Sequence, residues 1–421
     1  MNIKRIIGKD LAITADERSI SNFNQLVIGS TGSGKTRLVS SNISASSSES
    51  MVVIDSKLNL YRQHRKELEA KGYQVELIDL VNLDKSTIGY NPLDFIKTVG
   101  DKASVDDIRE LAGFIVADDF SSKVDKYWET SAREYISCCI SLCMHILLED
   151  QHNLVYVGKI LDMIDTPEWN QLIEIARNDD PECFEVKINK QIMTGRKAEK
   201  AHGSTATIAQ SAMNHILFDH SEKIYTMKKR INFADLGERR MAVFINVPDH
   251  DFTKGPLVSM FFSQCIKALL DHADKQKRSR LRIPLVLYCD DLAATFVIPH
   301  LPELLSISRS RGIYFILILQ AWSQMLSKYG PHDASTIAGN CSTLLYLGTT
   351  DLETPKLFSE KASIPLEKVI SMNLDTELVC IQGQAPFFAK KNNVQFSPVK
   401  YVNEEQMSLQ KESDTEYEKA E

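Results

Sequence analysis

The hydrophobic positions of this chain fall into two contrasting patterns. In two stretches, about residues 20–95 and 224–395, short unbroken apolar runs alternate with helical periodicity. The first stretch holds Gln25-Leu-Val-Ile28, Met51-Val-Val-Ile54 and Val75-Glu-Leu-Ile78. The second holds runs at 242–247, 284–289, 314–319, 343–347 and 377–381. Apolar runs of this kind predict strands buried on both faces. Separated by helices, such as the polar one near 57–71, they predict an α/β fold with a mostly parallel sheet. Between the stretches, about 100–218, no strand pattern occurs. There Trp128, Ala132, Tyr135, Cys139, Cys143 and Ile146 recur at three- and four-residue steps, one face of a long helix. Thr166-Pro-Glu-Trp169 reads as an N-cap followed by proline at the first helical position. Trp128 and Trp169 read most simply as core residues. The middle is therefore an all-α insertion. The expected division is 1–99 and 219–398 for the sheet domain, 100–218 for the insertion and 399–421 for a tail.

The chemistry enters directly after the first run. Gly29-Ser-Thr-Gly-Ser-Gly-Lys-Thr36 fits the phosphate-cradling pattern G-x-x-x-x-G-K-[ST] in its required context, strand then turn then helix. The glycines let backbone N–H groups converge on phosphate oxygens, and the helix N-terminus adds partial positive charge. Gly29, Ser30, Thr31, Gly32, Ser33 and Gly34 form the cradle. Lys35 is expected to reach the β- and γ-phosphates, and the Thr36 hydroxyl to ligate Mg²⁺. ATP with Mg²⁺ is the expected pair.

A phosphate loop needs an acidic site opposite it. The run 285–289 delivers Asp290 and Asp291 to the carboxyl edge of the sheet. Asp290 is the candidate metal-side acid, and Asp291 the candidate for polarising water. Asp55, ending the run 51–54, has the same local look, and sequence distance does not separate the two. Asp290 is preferred because of the residues downstream of it. Gln320 ends the strand 314–319 and is placed to sense the γ-phosphate. Arg309, just before that strand, is a candidate arginine finger acting across a subunit interface.

Composition changes this picture little. At 421 residues, 43% hydrophobic and 25% charged, the chain has an ordinary globular composition. No apolar run reaches the ~18 residues that span a bilayer. The eight cysteines show no paired metal-ligand spacing and several lie in apolar runs, which suits small buried thiols. The net charge is −7, and residues 401–421 hold seven acids and two lysines, so the tail carries most of it. Three basic clusters, 196–200, 228–230 and 275–280, are solvated loops or contacts to nucleic acid.

Taken in order, these motifs make the chain recognisable. It resembles the type IV coupling proteins of conjugative DNA transfer. The matching pieces are Gly29–Thr36, Val53-Ile-Asp-Ser-Lys57, Tyr90-Asn-Pro-Leu93, Trp128, Leu285–Asp291, Arg309 with Gly312, Leu319-Gln-Ala-Trp-Ser-Gln324, Tyr329-Gly330, Gly339-Asn-Cys341, Asp351-Leu-Glu-Thr354 and Gly383-Gln-Ala-Pro386. The resemblance implies a RecA-like P-loop domain interrupted by an all-α domain. It implies a hexameric ring with ATP at subunit interfaces and DNA, single-stranded, in the channel. The partners it implies are a relaxase complex and a type IV secretion channel. Lys35, Asp291, Gln320 and Arg309 inherit catalytic roles from it, and Thr36 and Asp290 the metal.

The chain departs from the family pattern twice. Asp291 stands where the family usually has glutamate, one methylene longer. A misplacement of about 1 Å can cost on the order of 10²-fold in rate. The usual N-terminal membrane anchor is also missing, so a peripheral, cytoplasmic protein held by a membrane-anchored partner is expected. Two other readings share the phosphate loop: a ring ATPase that pumps other DNA, and a substrate-docking adaptor that hardly hydrolyses ATP.

Overall fold

The computed structural model describes residues 3–15, 22–100, 102–116, 126–195, 199–248 and 251–392. Nine strands form one sheet. They are β1 Gln25–Ile28, β2 Ser50–Ile54, β3 Gln74–Asp79, β4 Met241–Asn246, β5 Leu285–Cys289, β6 Ile313–Leu319, β7 Thr343–Tyr346, β8 Thr376–Ile381 and β9 Phe387–Lys390. Their order is β9-β8-β7-β1-β6-β5-β2-β4-β3. Strands β1 to β7 are mutually parallel, and β8 and β9 add an antiparallel edge.

The unbroken apolar runs have a direct cause. Successive residues of a strand point to opposite faces, and both faces are covered. Val27, Met51 and Val53 pack with Leu38, Val39 and Ile43 of helix α1 (Lys35–Ala45) and Leu60 and Leu68 of α2 (Asn59–Ala70). Their neighbours Leu26, Ile28, Val52 and Ile54 belong to a second, larger core that continues into the insertion.

The insertion consists of α3 (Val105–Ile115), α4 (Lys126–Ile146), α5 (Leu154–Asp162), α6 (Pro167–Asp179), α7 (Phe184–Gly195) and α8 (Glu199–Ile216). Helix α4 is its axis. It touches α3, α5, α6, α7 and α8, and residues 135–143 are buried without interruption. The expectation of a single buried face is corrected. Ser137, Cys138 and Ser141 lie off that face yet are buried, because other helices pack around this part of α4.

Other local expectations are also refined. Pro167 does open α6, but the Thr166 hydroxyl donates to the Met163 carbonyl at 2.8 Å and makes no cap bond to the helix. Trp169 is a core residue, its Nε1 donating to Asn189 Oδ1 at 2.9 Å, whereas Trp128 is only half-buried.

The motif Tyr90–Leu93 ties the two parts of the sheet domain together and reaches the insertion through Asn91, whose Nδ2 donates to the His152 carbonyl at 2.8 Å. The Tyr90 hydroxyl donates to Gln264 Oε1 at 2.7 Å, and Gln264 Nε2 donates to the Pro92 carbonyl at 3.0 Å. Gln264 lies on α9 (Gly255–Asp274). Phe95 stacks on Phe233 beside this joint with centroids 4.3 Å apart.

A hairpin, Ile3–Gly8 with Leu11–Ala15, precedes the sheet and was not anticipated. It is pinned by Arg5, fully buried, whose Nη2 donates to Glu49 Oε2 at 2.8 Å within a bidentate pair. No helix among the described residues is long and apolar enough to cross a membrane.

Candidate functional site

The carboxyl ends of β1, β6 and β5 meet at one edge, and the site is assembled there. After β1 the chain turns through Gly29–Gly34 into α1. The backbone N–H of Gly29 donates to the Leu319 carbonyl at 3.1 Å, and that of Ser30 to the Gly348 carbonyl at 2.9 Å. The loop is thus moored to the ends of β6 and β7. All three of its glycines are required, Gly32 by its left-handed φ of 81°. Gly34 caps α1 with φ 107°, a left-handed conformation that side chains resist. A Cβ at Gly29 would lie 2.7 Å from Leu347 Cβ and 2.4 Å from Ser33 Oγ.

Lys35 is half-buried over this loop. Its Nζ donates to the carbonyls of Gly29 at 2.6 Å and Ser30 at 3.0 Å. Burial pushes the ammonium pKa down, and the charges of Asp290 and Asp291 oppose that. Thr36 opens the first turn of α1 with its side chain exposed.

Asp290 and Asp291 follow β5. Burial, with Asp291 beside it, pushes the Asp290 carboxyl up to about 7, while Lys35 pulls it down. Asp291 has φ 53°, left-handed, a conformation aspartate tolerates better than most residues. A tight turn holds it there: its carbonyl accepts the N–H groups of Ala294 at 3.1 Å and Thr295 at 2.9 Å. Gln320, at the end of β6, donates from Nε2 to Asp291 Oδ1 at 3.0 Å.

Strand β6 lies between β1 and β5, so Gln320 stands between the loop and the two carboxylates. Lys35, Asp290, Asp291 and Gln320 therefore converge. Asp55 lies beside Asp290, at the end of the neighbouring strand β2, and its charge helps raise the Asp290 carboxyl, but it is one strand further from the loop and is engaged elsewhere. Strand β2 is separated from β1 by β5 and β6, and Asp55 Oδ2 accepts the Tyr61 N–H at 2.8 Å at the start of α2. Burial pushes its pKa up, and four backbone N–H groups of that turn hold it down.

Arg309 is not brought to this site. It sits in the last turn of α10 (Leu301–Arg311), which leads into the start of β6, the opposite edge of the sheet. It is exposed and makes no ion pair with the described residues. Sequence reading missed the anchor of Gln320. Gln324 Oε1 accepts the Gln320 N–H at 3.2 Å, a contact created by the first turn of the helix Trp322–Gly339. The pair Gln320-x-x-x-Gln324 carried that signal.

The basic clusters divide. In 228–230, Lys229 pairs with Glu76 at 2.5 Å and Arg230 with Asp94 at 2.6 Å, so two of its three charges are engaged in ion pairs within the fold. In 275–280, Arg280 donates to the Tyr314 hydroxyl at 2.7 Å, while Lys277 and Arg278 are exposed. The cluster 196–200 and the acidic tail lie outside the residues whose side chains are described. All eight cysteines are free and buried.

The family model described as type IV secretory system conjugative DNA transfer matches residues 1–363. The chain belongs to that family. Solved structures share its fold at low identity. The bacterial conjugative coupling protein TrwBdeltaN70, in an unbound monoclinic form, superposes with a TM-score of 0.64 at 16% identity, covering 89% of this chain and 85% of that one. TrwB in complex with a non-hydrolysable ATP analogue gives 0.64 at 16%, covering 94% and 97%. VirB4 of Thermoanaerobacter pseudethanolicus gives 0.55 at 11%, covering 94% and 96%. No curated protein matches. These likenesses bear out the α/β fold expected from the sequence.

Several motifs behind the resemblance turn out to be structural. The Tyr329 hydroxyl accepts the Ile298 N–H at 2.8 Å, and Gly330, with φ 75°, ends one helix before Pro331 begins the next. Thr354 Oγ1 accepts the Trp322 N–H at 2.9 Å, bracing the helix that carries Gln324.

Proposed function

We propose that this chain is an ATP-hydrolysing motor of conjugative DNA transfer, recruiting a relaxase–DNA complex and delivering it to a type IV secretion channel. The observation that carries the reading is the contact of Gln320 with Asp291 beside the loop that holds Lys35. It joins a sensing amide, a carboxylate and a phosphate cradle at one sheet edge.

The residues fit Mg²⁺–ATP. The turn from Gly29 to Gly34 presents backbone N–H groups at a helix N-terminus. Burial and the charge of Asp291 make ionisation of Asp290 costly next to Lys35, a setting that a divalent cation relieves. Thr36 and Asp290 would hold the ion, which neutralises phosphate charge when bound. Lys35 swings from the loop carbonyls to the phosphates. Asp291 accepts a proton from the attacking water, and Gln320 orients it. TrwB has been solved with an ATP analogue and with ADP and Mg²⁺, at identities of 16% and 17% to this chain, in keeping with this reading.

Arg309, at the far edge of its own sheet, serves a neighbouring subunit in a hexameric ring. Single-stranded DNA passes through the channel, and a membrane-anchored secretion component holds the ring at the inner face of the membrane. Residues 1–99 and 219–398 form the motor, and 100–218 the domain facing substrate.

The test is ATP turnover by the purified chain with and without single-stranded DNA, beside Lys35→Ala. DNA-stimulated turnover that vanishes in the variant is expected. Tight ATP binding without turnover, with DNA present, would overturn the motor in favour of a docking adaptor.

A further inference from the structure

A second polar cluster lies far along the chain from the phosphate loop, inside the helical insertion. The last turn of α4 brings His145, the turn between α6 and α7 brings Cys183, and the first turn of α7 brings Glu185. One ligand atom from each of the three lies within 4.8 Å of the other two. Cys183 and Glu185 are buried, and His145 is about one quarter exposed, open on one side. The remaining cysteines sit mainly among apolar side chains; Cys183 shares its place with an imidazole and a carboxylate.

We propose that His145, Cys183 and Glu185 form a binding site for a zinc-class divalent cation, stapling α4 to the α6–α7 turn. Nitrogen, thiolate and carboxylate together suit a borderline-soft ion, and three protein ligands leave a fourth position for water. Tetrahedral zinc ligands lie roughly 3.3–3.8 Å apart, so side-chain rotation must open the His145–Glu185 contact to that spacing and bring the Cys183 thiol, within 4.8 Å, to it.

The surroundings are those of oriented ligands. His145 Nδ1 faces Glu185, and its Nε2 lies 3.0 Å from Asp179 Oδ2. The hydrogen bond between Nδ1 and Glu185 holds one proton; once that proton leaves, the N–H kept on Asp179 gives Nδ1 the lone pair a metal needs. Glu185 Oε2 accepts from the Ser141 hydroxyl at 2.9 Å, which fixes one carboxylate oxygen and turns the other toward His145. The Cys183 thiol lies 3.8 Å from the Ala176 carbonyl, a weak bond that costs little to release. Binding exchanges two protons for the cation, one from the Cys183 thiol and one from the His145–Glu185 hydrogen bond, and both leave to solvent. No linear spacing announces this site, because His145 and Glu185 are 40 residues apart.

The test uses the full chain and Co²⁺ as a spectroscopic probe. One Co²⁺ per chain with a thiolate-to-cobalt charge-transfer band is expected, displaced by Zn²⁺. The band should vanish in Cys183→Ser and persist in Asp290→Asn, which separates it from the phosphate-loop edge. Asp179→Asn should weaken Co²⁺ binding about 10- to 100-fold. No band in the parent chain, or a band that survives Cys183→Ser, overturns the proposal. Should Cys183→Ser fail to fold, His145→Gln carries the test: unchanged Co²⁺ affinity there overturns it equally.

Discussion

The sharpest test of the site is Asp291→Asn. The change is isosteric and removes one negative charge and one proton acceptor. Its structural side effects are small by construction. Asparagine accepts the left-handed backbone that Asp291 adopts at φ 53°. Its side-chain oxygen can still take the Gln320 amide, now at 3.0 Å from Asp291 Oδ1. The turn to Thr295 uses only the backbone. Stability should therefore change by less than about 0.5 kcal/mol. Loss of the carboxylate also lets Asp290 fall from about 7, since Asp291 is part of what raises it. If Asp291 takes a proton from water, kcat for ATP should drop about 10²- to 10⁴-fold, equivalent to about 3–5 kcal/mol of barrier. KM and nucleotide affinity should move little, because the loop and Lys35 are untouched. Steady-state turnover beside equilibrium binding of a fluorescent ATP analogue separates the two. A kcat within about threefold of the parent would refute the assignment of Asp291. Loss of nucleotide binding with intact fold would place Asp291 among the binding groups instead.

Arg309→Ala should leave nucleotide affinity and melting temperature unchanged, since the side chain is exposed at the far sheet edge, but abolish turnover of the assembled protein; mixing it with Lys35→Ala subunits should restore activity, and no restoration counts against action in trans. Glu49→Ala leaves the buried Arg5 guanidinium unpaired and should cost about 3–5 kcal/mol in urea unfolding; a loss below about 1 kcal/mol would mean water reaches Arg5. Burial pushes the Glu377 carboxyl from 4.5 up to about 8, with Lys391 pulling it down. The folded state therefore holds that proton more tightly, a stabilisation complete below about pH 4.5 and lost as pH rises to about 8. Glu377→Gln should accordingly raise the melting temperature more above pH 8 than below pH 5, and an equal shift at both would contradict this.

The sequence by itself determined the strands of the parallel sheet and the phosphate loop. A strand covered on both faces must be apolar at every position, so β1, β2, β5 and β6 stood out from the chain as unbroken runs. The loop was legible because its glycines, lysine and threonine act through backbone they carry with them. Helix α4 was recognised as a helix but misjudged as one-faced, since α6, α7 and α8 from further along the chain join its neighbours α3 and α5 in burying residues 135–143.

What only the tertiary structure decided was adjacency. Asp55 and Asp290 are alike locally: each ends an apolar run with a carboxylate. They end neighbouring strands, and strand order ranks them: β6 alone lies between β1 and β5, which puts Asp290 one strand nearer the loop, while Asp55 accepts from the turn into its own helix. The insertion of β6 also brings Gln320 onto Asp291, a contact between residues 29 positions apart. The cluster of His145, Cys183 and Glu185 was invisible for the same reason. Hydrophobic periodicity reports which side of an element is buried, not which other element buries it. Pairing across the fold is set by the packing of whole layers, and no local pattern encodes it.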